Sequence, residues 1–178
     1  MATDLMPAAD ETGVGEINRY DFITPSHAHQ QEIAAATGAW PSLEEGKRAL
    51  VRLLAEDGAR NGSLPAIPAY DFSGYSTITE ESLPGSGTRD EMRYYWDSSH
   101  FKSLVGDYVL DRVLGAKHGD DRVPNDFGVY LTANSIESII AEQRRRQADY
   151  RTRFAHDVSA LRSQVAAALA GAEKRPGR

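Results

Sequence analysis

The segment Trp96-Asp97-Ser98-Ser99-His100-Phe101 places an acid and a base three residues apart. In a turn, this spacing lets the Asp97 carboxylate meet Nδ1 of the His100 ring and leaves Nε2 free to act as a base. The carboxylate then fixes the tautomer and stabilises the imidazolium as it forms. An imidazole with an unperturbed pKa of about 6.5 is already a workable base near neutral pH. The same spacing also fits a plainer use, in which Asp97 caps the helix that follows.

Other polar residues stand where strands should end. His27 follows a strand and a turn, which makes it a candidate for lining a cleft at the carboxyl ends of the strands. Its plainer role is a hydrogen bond to backbone that holds the turn. Asp71 closes the second expected strand near the same cleft, as a supporting carboxylate or as a cap for the turn at Gly74. Ser99, a third cleft-lining candidate, shares the His100 turn; with Ser98 it reads more simply as a backbone cap than as a nucleophile. Gly85-Ser86-Gly87 is the one Gly-Ser-Gly triplet. No apolar strand leads into it, so it lacks the elbow that exposes a nucleophile. Trp40, Tyr94, Tyr95 and Trp96 read as core or lid residues, and His118 and His156 as surface positions. His27 and His29, two apart at a helix start, point to different faces. No set of three or four ligands converges, so neither a metal nor a cofactor is expected.

Composition narrows the classes. A chain of 178 residues has room for one core. Lys and Arg total 20 against 26 Asp and Glu, a net charge of −6, which argues against a general nucleic-acid or anionic-membrane surface. The absence of cysteine removes disulfides, thiolate metal sites and a cysteine nucleophile. No apolar run approaches the roughly 18 residues of a membrane span. Residues 1–16 lack the basic start and apolar centre of a signal peptide. The chain as written reads as soluble, with its compartment open.

The elements that must position these residues follow from the pattern. Residues 1–16 read as a tail, 17–132 as an α/β domain, 133–170 as a long helix and 171–178 as a second tail. A strand over 17–23 runs into Thr24-Pro25, and a helix from 26 to 37 closes at Gly38. Ser42-Leu43-Glu44-Glu45 forms a capping box for a helix whose inner face is Leu43, Leu50, Leu53 and Leu54. That helix should stop before Gly58, with a turn at Asn61-Gly62. A second strand covers 66–73, with Pro68 at its beginning because proline donates nothing to a ladder. Residues 74–93 form a long loop. A helix from 102 to 114 buries Val105, Tyr108, Val109, the stem of Arg112 and Val113, and Gly115 ends it. A short extended piece over 127–131 leads to Thr132, which can cap the last helix. Ile136, Ile140, Gln143, Gln147, Tyr150, Phe154, Val158, Leu161, Val165 and Leu169 form its inner stripe, at about 3.7 residues per step, which predicts one straight helix. Arg144-Arg145-Arg146 reads as a solvated middle, or else as an arm for phosphate or a partner.

Several blocks carry a family likeness: Tyr70-Asp71-Phe72-Ser73-Gly74-Tyr75, Ile78-Thr79-Glu80, the run from Met92 through His100-Phe101, Gly106-Asp107, and Phe127-Gly128-Val129. Together they resemble the C-terminal half of uncharacterised bacterial cell-envelope proteins related to the SGNH/GDSL hydrolases. The resemblance spans about residues 17–150 and implies a flavodoxin-like three-layer fold with a parallel sheet. It also implies chemistry on esters, acylated carbohydrates or small esters among them, by esterases or O-acetyltransferases, with Asp97 as orienting acid and His100 as general base. Such relatives usually carry an N-terminal envelope anchor. Their nucleophilic Ser lies in a Gly-(Asp or Ser)-Ser block after the first strand, with oxyanion donors on the next strands. Here only 16 residues precede Ile17 and no such block is found. The expectation is a truncated domain with little or no hydrolase activity alone. A different class of reading is a non-catalytic assembly protein. In that reading an exposed sheet edge and the long helix meet a second chain or a second copy.

Overall fold

A computed structural model describes residues 19–60, 67–85, 88, 90–115 and 123–173. Asn61-Gly62, Ser86, His118 and residues 1–16 lie outside the described residues.

Three short strands form one mixed sheet, β1 (Asp21–Ile23), β2 (Ala69–Asp71) and β3 (Val129–Leu131), in the order β1-β2-β3. β1 and β2 are parallel, with Phe22 opposite Tyr70. Parallel neighbours need a crossover, here α1 (Ala28–Ala36) and α2 (Trp40–Arg60). β3 then adds antiparallel, with Tyr70 opposite Tyr130, so the sheet is not purely parallel. β2 is central and buried at every position, as a strand covered on both faces must be. Its start matches expectation: Pro68 lies just ahead of it, where its carbonyl accepts from the Asp21 amide at 2.9 Å.

Because side chains alternate along a strand, Tyr70 and its neighbour Ala69 serve different cores. Tyr70 joins Phe72, Ile78, Tyr95, Phe127 and the inner stripe of α3 (Ser103–Leu114), namely Val105, Tyr108, Val109 and Val113. That stripe is the expected one. The Arg112 head reaches the carbonyls of Phe127 and Pro124, at 3.0 and 2.8 Å. Ala69 and Leu131 join Val51 of α2 and Ile136 and Ile140 of α4 (Ile136–Arg153). The architecture is mixed α/β, with five helices among the described residues and helices packed on both faces of the sheet.

Local chemistry sets the helix ends. His27 caps α1, its Nδ1 accepting from the His29 amide at 3.1 Å. At the other end Ala39 N bonds to Ala34 O and Gly38 N to Ala35 O. This doubly closed end needs a left-handed residue, and Gly38 supplies it at φ 79°. α2 departs from expectation. It begins at Trp40, so no capping box forms at Ser42, and it runs through Gly58 to Arg60. Its buried face is Glu44, Lys47 and Val51, flanked by Leu50 and Leu54, while Leu43 and Leu53 are exposed. The leucine pattern misleads because two inner positions hold buried charges, Glu44 and Lys47, each neutralised by a partner from another element.

The last helix also departs from expectation. Phe154, at φ −114° and ψ 37°, leaves helical geometry and divides it into α4 and α5 (Ala155–Glu173). The bend turns the second half along α1, and Ala28, Tyr75, Tyr150 and Val158 make a third core with Trp40 and Phe154. No glycine or proline marks the break. Leu169 is exposed, and α5 extends past 170 into the expected tail.

Candidate active site

The loop after Met92 folds back on itself as a small hairpin. Tyr95 bridges Phe101 antiparallel, the Trp96 amide donates to His100 O at 2.8 Å, and the Lys102 amide donates to Tyr94 O at 2.8 Å. Paired residues of an antiparallel hairpin share a face and adjacent pairs alternate. Tyr95 is therefore buried, while Trp96 and His100 stand outward, with Trp96 70% exposed. Trp96 is thus not a core residue; the Lys102 ammonium lies 4.6 Å from its ring centre.

Within the tip, Asp97 organises the backbone. Its Oδ1 accepts from the amides of Ser99 (2.7 Å) and His100 (2.9 Å). Its Oδ2 lies 2.8 Å from His100 Nδ1. The hydrogen bond from His100, followed by the Ser99 amide, holds the Asp97 carboxyl below its usual range. An ionised carboxylate accepts only, so Nδ1 carries the proton and Nε2 offers a lone pair. Among the described residues nothing is bonded to Nε2, and the His100 side chain is 74% exposed. Gln30 Nε2 ties the tip to α1 by donating to Ser98 Oγ (2.9 Å) and Ser99 Oγ (2.7 Å). Ser99 therefore serves as an anchor of the turn, and neither serine is bonded to the His100 ring.

His27 is fully buried behind this hairpin. Its Nε2–H donates to Glu81 O at 2.6 Å, and its ring meets Tyr95 edge-on at 5.1 Å. Burial pushes its pKa down, so the ring is neutral. The Glu81 carboxylate in turn accepts from the amides of Arg93 and Tyr94. His27 does not border an open cleft; it links α1 through residue 81 to the strand that carries Tyr95 and Trp96.

Asp71 sits at the end of β2, beside a groove of about 310 Å3 bounded by residues 125–129 and α4. Its side chain is closed off from solvent. Burial pushes its carboxyl up, but Lys47 Nζ at 2.6 Å and the Ser73 hydroxyl and amide outweigh that and hold it below the usual range. Gln143 Nε2 completes its shell at 2.8 Å. Asp97 and His100 do not line this groove. The expected meeting of His27, Asp71 and the Asp97–His100 pair around one cleft does not occur. The pair stands on an outer hairpin, Asp71 is locked under α4, and His27 lies in the core.

Two further buried networks went unread in the sequence. Glu32 of α1, with no exposed surface, accepts from Tyr75 OH (2.7 Å) and Arg151 Nε (2.9 Å), and Gln147 donates to the same hydroxyl. Glu44 accepts from Trp40 Nε1 and from Arg144, both at 2.7 Å. The signal for them was present: Gln143 and Gln147 lie in the inner stripe of α4, and an amide there announces a polar partner across the interface. The arginine run is the solvated middle, with Arg144 and Arg145 mostly exposed, and each guanidinium is held by carboxylates rather than left open for phosphate. Arg144 holds Glu44, Arg145 holds Glu142 and Asp149, and Arg146 holds Glu142 and Asp126.

Among the described residues no group of three His, Asp or Glu side chains can hold a metal ion, and no helix is long and apolar enough to cross a membrane. Compared with known proteins, the chain matches no family model, no curated sequence and no solved structure.

Proposed function

We propose that this chain carries the acid–base arm of an SGNH-type ester-processing site on a partial flavodoxin-like scaffold. The single observation that carries the reading is the 2.8 Å contact between Asp97 Oδ2 and His100 Nδ1, with Nε2 left open to solvent. His100 Nε2 takes the proton of an attacking hydroxyl as that oxygen bonds to an acyl carbon. Asp97 stabilises the resulting imidazolium. When the tetrahedral intermediate collapses, the same proton passes to the leaving alcohol. The acyl donor is an acylated carbohydrate or small ester, as in the SGNH-related proteins that the Trp96–Phe101 block resembles.

Neither Ser98 nor Ser99 is aligned for attack, since both hydroxyls accept from Gln30 and neither is bonded to the His100 ring. The nucleophile in this proposal comes from a Ser-bearing segment that this chain does not supply. Losing one oxyanion donor alone lowers a rate by about 10²–10³, so an unpaired base leaves little turnover. The test is p-nitrophenyl acetate hydrolysis by the purified chain. The expected rate is that of buffer plus a background that His100→Ala does not change. Turnover well above buffer that disappears in His100→Ala would place a working nucleophile in this chain and overturn the half-site reading.

A second reading rests on the sheet. β1 and β3 are its edges among the described residues, and Phe22 and Tyr130, in one cross-strand row, are 44% and 47% exposed. An open edge flanked by aromatic side chains suits strand pairing with a second chain or a second copy. A mass of one chain in solution at high micromolar concentration would remove the second-copy version.

A further inference from the structure

The groove at the end of β2 plays no part in the Asp97–His100 proposal and has the makings of a binding site of its own. Its volume of about 310 Å3 lies at the lower end for small-molecule pockets. It opens at the carboxyl end of the central strand, where open α/β sheets hold ligands. Val129 and Ile139 supply apolar walls above the buried rings of Phe72 and Phe127. Two glycines keep the lining thin. A Cβ on Gly74 would sit 2.8 Å from Gln143 Nε2, and one on Gly128 would run into the Phe72 ring.

Charge decides the ligand class. Every ionised side chain at the groove already holds an opposite charge: Asp71 with Lys47, Asp126 with Arg146, and Glu142 with Arg145 and Arg146. An anion would have to draw Arg146 away from two carboxylates, and a cation would have to displace it. Uncharged hydrogen-bonding capacity remains. Arg146 Nη2 and the Asn125 side chain have no partner among the described residues. Ser138 Oγ donates to Ser135 O at 2.8 Å and keeps its lone pairs. From these features we infer that the groove binds a neutral, ring-sized amphipathic molecule. Its apolar face lies on Val129 and Ile139, and its hydroxyl or amide group meets Asn125, Ser138 and Arg146. The inference stands or falls independently of the ester chemistry.

The test is an NMR-monitored titration of the full chain with four probes built on one ring: benzyl alcohol, benzamide, benzoate and benzylammonium. The amide signals of Gly74 and Gly128 should move with the two neutral probes at millimolar concentration. The two ions should bind at least about tenfold more weakly, the equivalent of 1.4 kcal/mol. Ser138→Trp, which fills the mouth from an exposed position, should abolish the response. Should that variant fail to fold, Asn125→Ala is expected to weaken the neutral probes severalfold. Absence of any response at tens of millimolar would overturn the inference. So would ions that bind as well as the neutral probes, or a response that survives in the folded variant.

Discussion

Replacing Lys47 with Met should be among the most damaging single changes to this fold, although Lys47 lies on a helix whose leucines suggest a different inner face. The Lys47 ammonium is 2.6 Å from Asp71 Oδ2 and 2.7 Å from Gln143 Oε1, and the two charged side chains are 8% and 0% exposed. Methionine fills similar volume but leaves the Asp71 carboxylate buried without its counter-charge. Breaking a buried pair from one side costs about 3–5 kcal/mol, against a total stability of about 5–15 kcal/mol for a domain. Urea unfolding followed by circular dichroism at pH 7 should register that loss with an unchanged m-value. Adding Asp71→Asn removes the orphan charge while keeping a side chain that can bond Ser73 and Gln143. The double variant should therefore cost about 2 kcal/mol less than the sum of the two singles. The pH dependence carries a sign as well. In the wild type the folded Asp71 carboxyl lies below its usual value of 3.8. Its stabilisation is present above that value and is lost as pH falls through the folded value. In Lys47→Met the charge that opposes burial most strongly is gone and only the Ser73 and Gln143 hydrogen bonds remain, so the carboxyl rises and lowering the pH from 7 toward 4 should stabilise the variant. A loss below about 1 kcal/mol, or an unchanged slope with pH, would refute the assignment of Lys47 as the counter-charge.

His27, buried and neutral, should make folding sensitive to acid. Burial lowers its pKa from the usual 6.5, so below 6.5 the unfolded chain takes up a proton that the folded chain refuses. Stability is therefore full above that value and declines as the pH drops below it. His27→Gln should flatten this part of the unfolding curve, and an unchanged slope would show that the ring is not confined as described. Two glycines with positive φ make a paired test. Gly38 (φ 79°) has open space around its Cβ position, whereas at Gly128 (φ 80°) a Cβ meets Phe72. Gly38→Ala should cost about 1 kcal/mol from backbone strain alone, and Gly128→Ala about 1–3 kcal/mol more from the clash. Equal losses in thermal unfolding would contradict the Gly128 geometry.

The parts of this structure that were legible in the sequence are those in which one residue type answers one local demand. Gly38 and Gly115 closed their helices, Pro68 stood ahead of β2, and the Val105–Val113 stripe buried as its spacing requires. The hairpin tip was legible for the same reason, since Asp97 and His100 meet through a turn only four residues long. What was not legible depended on partners distant in the chain. Nothing local marks Glu44, Lys47 and Glu32 as inner positions, because the Arg144, Asp71 and Arg151 that neutralise them come from other elements. The bend at Phe154 has no sequence marker, because the gain from packing α5 on α1 appears only in three dimensions. Trp96 stands outside the core although Trp is highly buried on average, because the hairpin register sends it outward.

The Asp97–His100 pair is tested by the tautomer of His100, read from long-range 1H–15N correlations in the folded chain above pH 7. The expected result is a proton on Nδ1 and a bare Nε2, with the preference lost in Asp97→Ala, since free imidazole side chains favour the other tautomer. A ring protonated on Nε2 in the wild type, or one indifferent to the loss of Asp97, would contradict it.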